Sequence, residues 1–173
     1  MPVSKKNTKP GIELEYNSLR SEILKRIELR QQLISITLTL AGVFLGIGLG
    51  TQSVALIYPP LAMFLAFGWA QNDFRIRSSA EYIREHLEKP STGLMYEHRV
   101  QARRASTSSL GEWRFVVISH IGIFIFTQVM AVVIELARTN FNLSSLTLTQ
   151  QILLVIDIIS ILFVLWIARQ STR

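Results

Sequence analysis

The sequence predicts an all-α, polytopic membrane protein: four transmembrane helices in two hairpins, with a helical cytoplasmic extension. Charge-free runs, the placement of basic residues and the placement of tryptophans lead to it. No charged residue occurs between Arg30 and Asp73, or between Arg114 and Glu135, and only Asp157 interrupts the run from Arg138 to Arg169. A spanning helix needs about 20 apolar residues, so these runs hold four spans: Leu33–Leu49, Val54–Gln71, Phe115–Ala137 and Gln151–Ala168. A soluble bundle would carry a regular polar outer face, and these runs do not.

Residues 1–32 hold seven Lys and Arg and residues 72–114 hold eight, whereas the turn GTQS holds none. The loop TNFNLSSLTLT follows a single Arg138. Basic loops stay on the cytoplasmic side, which puts both termini and the central segment inside. Trp69, Trp113 and Trp166 fall at the cytoplasmic ends of spans, where tryptophan serves as an interface anchor. The net charge of +6 then reflects topology and attraction to anionic lipid rather than nucleic acid, for which no recognised motif is present. The chain has no cysteine, which removes thiolate chemistry, thiolate metal sites and disulfides. The first apolar run follows a charged stretch of about thirty residues, too long for a signal-peptide n-region.

In order, residues 1–13 read as a disordered basic N-terminus broken by Pro10 and Gly11. Residues 14–32 read as a cytoplasmic helix continuous with the first span, with Tyr16, Leu19, Ile23 and Ile27 at helical spacing. The transmembrane hairpin 33–71 follows. Within it, Gly42, Gly46 and Gly50 form a ridge suited to close helix packing against span two, span four or another subunit. Pro59 and Pro60 are expected to kink the second span. The cytoplasmic segment 72–114 continues the second span as a helix ending at Pro90, then a short helix over Met95–Ala105 and a Ser/Thr connector.

Pairing the two cytoplasmic helices about their turn, with partner numbers summing to about 103, sets Arg30 opposite Asp73 and Glu28 opposite Arg75. It also sets Ile27 opposite Ile76 and Ile23 opposite Ala80. These charge pairs are expected to couple the stalk to the membrane. The second hairpin occupies 115–168, and 169–173 form a cytoplasmic tail.

Polar residues inside spans are expensive and point to function by default. Asp157 is the deepest acid, and antiparallel pairing brings Gln128 to its depth. Two roles stay open: glue between helices, or a pore-lining or proton-coupling acid. Glu135 is expected to be solvated near the external interface, and His120 to be a packing residue. Arg114 and His120 match the R-x5-H spacing of HEPN-type ribonucleases, but the copy runs into a span where RNA has no access. No phosphate-binding loop, catalytic triad motif or metal-spaced cluster occurs, so no enzyme activity and no cofactor is expected.

The segments EYNSLRSEILKRIELRQQLISITLTLAG and LIYPPLAMFLAFGWAQNDFRIRSSAEYIRE resemble an uncharacterised family of bacterial four-span membrane proteins, over residues 15–85. The resemblance implies the fold and carries over no functional residue. A looser architectural similarity links the chain to small membrane effectors of antiviral defence, which form rings that depolarise membranes. The leading expectation is a homo-oligomeric, pore- or channel-like protein of the bacterial inner membrane, in contact with membrane lipid and acting as a defence or stress effector that permeabilises that membrane. The alternatives are a non-conducting anchor that binds a cytoplasmic protein partner, and a small proton-coupled transporter built around Asp157, Gln128 and Pro59–Pro60.

Overall fold

The computed structural model describes residues 10–88, 94–106 and 112–171. It holds five α-helices and no strand among the described residues: α1 (Pro10–Gly50), α2 (Tyr58–Tyr82), α3 (Tyr96–Ser106), α4 (Glu112–Arg138) and α5 (Leu148–Ser171). A 3-10 turn, Ala55–Ile57, leads into α2 and a π-helical turn, Ile83–Leu87, follows it. Three helical stretches are long and apolar enough to cross a membrane: Gly11–Gly50, Ile118–Arg138 and Leu148–Gln170. The fourth apolar run, Val54–Gln71, is split, because Ala55–Ile57 lie in the 3-10 turn and α2 begins only at Tyr58.

Two expectations about proline fail for one reason. Pro10 opens α1 and Gly11 continues it, so the helix starts before residue 14. Pro59 and Pro60 stand in the first turn of α2 and do not kink the middle of a span. A first-turn residue has no intrahelical use for its N–H, and proline's fixed φ suits that position. Residues 1–9, Pro90, the connector 107–111 and residues 172–173 lie outside the described residues.

The chain divides into two compact units. The first contains α1 up to Arg30, α2 from Asn72, the π-helical turn and α3. Ile23, Ile83 and Leu87 form its buried centre, with Tyr16, Leu19, Ile27, Ile76 and Ala80 packed around them. The pairs Ile27–Ile76 and Ile23–Ala80 thus share one cluster. Arg30 Nη1 meets Asp73 Oδ1 at 2.7 Å, and Arg77 adds a second guanidinium at 2.6 Å. Glu28 and Arg75 are both exposed and form no ion pair. The reason is helical phase: positions 23, 27 and 30 share a face, whereas 28 is two residues from 30 and turned about 200° away.

In this unit α3 is held by its own N-terminus. The buried Glu88 carboxylate accepts from the Glu97 N–H at 2.8 Å and the His98 N–H at 3.0 Å, and the His98 ring lies 3.0 Å away. Burial pushes the Glu88 carboxyl up, but these donors outweigh it and hold the group below its ordinary value. Arg20 bonds Glu97 at 2.9 Å and lies 4.4 Å over the Tyr96 ring.

The second unit contains α1 from Gln31, α2 up to Gln71, α4 from Arg114, and α5. Its buried stripes keep helical spacing: Ile34, Thr37 and Ala41 on α1; Tyr58, Ala62, Ala66 and Trp69 on α2; Ile121, Phe124, Gln128, Ala131 and Glu135 on α4. On α5 the stripe is Gln150, Leu154, Asp157, Ser160, Val164 and Ile167. The exposed faces of α2, α4 and α5 carry large apolar groups such as Leu61, Phe64, Phe126, Val155, Ile159 and Leu162. The interior mixes apolar and polar groups, and large apolar groups on the outside depart from the polar outer face of a bundle in water.

Close approach within the unit falls to Gly48, not to the expected ridge. A Cβ on Gly48 would stand 2.6 Å from the Ala55 Cβ, whereas one on Gly42, Gly46 or Gly50 would meet nothing within 4 Å. All three ridge glycines are exposed, because four-residue spacing keeps them on one face and Gly48 lies on the opposite one.

Candidate functional site

The polar interior of the second unit is arranged in layers set by the α4–α5 turn. α4 ends in a Schellman motif: Phe141 N–H bonds the Leu136 carbonyl and Asn140 N–H the Ala137 carbonyl, with Asn140 at φ 50°. Asn142 Oδ1 then accepts from Ser144 N–H and caps a 3-10 turn at Leu143–Ser145. α5 opens with a capping box in which Thr147 Oγ1 accepts from Gln150 N–H and Gln150 Oε1 accepts from Thr147 N–H. The box fixes Gln150, and its amide Nε2 donates to Glu135 Oε1 at 2.7 Å.

Glu135 is therefore a buried layer and not a solvated surface acid. Its second donor is the Ser53 N–H, at 3.1 Å from one oxygen and 3.2 Å from the other. Ser53 adopts a positive φ of 64° to present that N–H, a conformation that non-glycine residues rarely hold without compensation. Near the same turn Arg138 Nη1 donates to the Gly48 carbonyl at 3.0 Å. The sequence cue for Glu135 was available: Thr147–Gln150 is a capping-box pair, and its glutamine lies within reach of an acid on the facing helix.

The Glu135–Gln150 bond sets an antiparallel register in which facing numbers sum to 285. Ala131 with Leu154, Gln128 with Asp157, and Ile121 with Val164 obey it, and every member is buried. Gln128 and Asp157 thus share one depth, one heptad beyond the first layer and about 10 Å along the helices. They do not close on each other: both Asp157 carboxylate oxygens and both polar atoms of the Gln128 amide are buried without a hydrogen-bond partner. The Asp157–Gln128 bond that the glue role requires is not formed.

A third polar group is satisfied locally. Tyr58 O–H donates to Thr127 Oγ1 at 2.8 Å, and Thr127 passes its own proton to the Ile123 carbonyl at 2.8 Å. His120 stacks on Trp69, with ring centroids 5.6 Å apart. Trp69 is fully buried, so it is a core residue and not an interface anchor. Trp166 is half exposed beside Phe163, and the Trp113 and Arg114 side chains lie outside the described part. Among the described residues no group of three or more His, Cys, Asp or Glu could hold a metal ion.

One feature lies outside these layers. The exposed side of α1 carries a lane of Ser35, Thr39, Gly42, Gly46 and Gly50, at three- and four-residue spacing. Thr39 bonds the Ser35 carbonyl at 2.9 Å, which leaves the lane smooth. The chain matches no family model, no curated protein and no solved structure.

Proposed function

We propose that this chain is a four-span integral membrane protein that assembles with copies of itself into a pore- or channel-like structure. The observation that carries the reading is the lane on α1. Lipid gives small and hydroxylated side chains no hydrophobic gain, whereas a second helix gains close backbone contact and hydrogen bonds there. The apolar exteriors of α2, α4 and α5, and the exposed Leu38, Val43 and Ile47 that flank the lane on α1, fit contact with acyl chains. On this reading α1 faces α1 of neighbouring copies, and hydroxyls with exposed glycine backbone line the shared path. The fourth span is the run Val54–Gln71, entered through its 3-10 turn. Both termini and the first unit lie in the cytoplasm, where that unit receives a trigger or a protein partner.

The chain has no cysteine, so a single introduced thiol reports one contact. Gly46→Cys in native membranes should give a disulfide-linked dimer on mild oxidation, and Val155→Cys, on the exposed face of α5, should not. Equal crosslinking at both positions, or none at 46, would refute α1 as the contact.

A further inference from the structure

We infer that each subunit carries its own monovalent-cation site at the Asp157–Gln128 layer, a site that does not depend on assembly. Three observations lead there. The first is the contrast between layers: Gln150 donates to Glu135, yet Gln128 Nε2 donates to nothing and Asp157 accepts from nothing. The amide–carboxylate bond that closes the first layer has no counterpart in the second. The second is chemistry. Two carboxylate oxygens and the Gln128 carbonyl oxygen are hard oxygen ligands, suited to sodium or a proton and not to a soft metal. The third is charge. Neither α4 between Phe115 and Ala137 nor α5 between Gln151 and Ala168 carries a Lys or Arg, and His120, the basic side chain of those runs, stacks on Trp69 about two turns from the layer, so no guanidinium or ammonium of those runs supplies the counter-charge to Asp157.

One positive charge neutralises one carboxylate, whereas a divalent ion would leave a net charge among apolar neighbours. Ser160, buried one turn along α5, gives its proton to the Ile156 carbonyl and keeps its lone pairs free to contribute. Glu135, one heptad nearer the α4–α5 turn, is the next oxygen-rich point along the same stripe.

The test uses the full chain in detergent and follows thermal unfolding by tryptophan fluorescence. One arm raises sodium against N-methyl-glucamine at fixed pH and ionic strength. The other lowers pH in sodium-free buffer. Binding to the folded state alone should raise Tm by about 5–10 °C at a hundredfold excess over half-saturation. A sodium-dependent rise identifies sodium; a rise only with acid identifies the proton. Either rise should be absent in Asp157→Asn, which keeps the shape and removes the charge. Glu135, Tyr58 and His120 are the other titratable groups facing this interior, and Asp157→Asn leaves them in place, so the difference between proteins reports position 157. A wild-type Tm that ignores both cations overturns the proposal, as does an Asp157→Asn profile that matches wild type. The wild-type result decides alone if the variant fails to fold.

Discussion

Gly48 and Gly46 belong to one glycine-rich run, and the structure assigns them opposite consequences. In Gly48→Ala the new methyl would stand 2.6 Å from the Ala55 Cβ and 3.2 Å from both the Ala55 Cα and backbone nitrogen. Ala55 is fully buried in the 3-10 turn, so no flexible side chain can yield and the backbone must shift. Overpacking of this kind costs about 1–3 kcal/mol, and moving Gly48 also disturbs the carbonyl that anchors Arg138. The gain from replacing a helical glycine, about 0.5–1 kcal/mol, offsets part of it. At about 2–4 °C per kcal/mol for a chain of this size, Gly48→Ala should lower Tm by up to about 10 °C. In a detergent that holds the protein as monomers, Gly46→Ala meets nothing within 4 Å and should leave Tm level or raise it by up to about 4 °C. Differential scanning fluorimetry of both variants in one detergent makes the comparison. If Gly48→Ala proves as stable as Gly46→Ala, the close α1–turn contact is wrong and the packing argument fails with it.

Other outcomes follow from the first unit. Asp73→Ala removes the carboxylate that Arg30 and Arg77 share; with Asp73 almost wholly buried, it should destabilise that unit by about 3 kcal/mol. Glu28→Ala should change stability by less than about 0.5 kcal/mol; denaturant titration of both variants compares them. For Glu88 the sign is fixed by its lowered folded value: its contribution is complete above the ordinary 4.5 and is lost as pH falls below that towards the folded value. Limited proteolysis around α3 across pH 3–6 should therefore show protection fading at the acid end, and Glu88→Gln should flatten that dependence.

Much of both units was legible because helical phase and antiparallel pairing are arithmetic. The depth of Asp157 and Gln128 followed from the turn alone, and so did the meeting of Arg30 with Asp73. What the sequence concealed depended on direction and partner. Glu28–Arg75 obeyed the sum rule but not the helical phase. Glu135 looked solvated because its donors come from elsewhere in the fold, Ser53 at a positive φ and Gln150 through its capping box. The three spaced glycines drew attention to their own face, while the one close approach was made by Gly48, a residue without a regular partner in the pattern. Trp69 looked interfacial by position along the span, yet tertiary packing places it in the core against His120.

The central claim is assembly through the lane on α1, and native mass spectrometry of the protein in a mild detergent tests it most directly. The account predicts a closed ring of four or more subunits that falls apart to folded monomers in Gly46→Leu. A wild-type monomer or dimer, or a ring that survives Gly46→Leu unchanged, would contradict it.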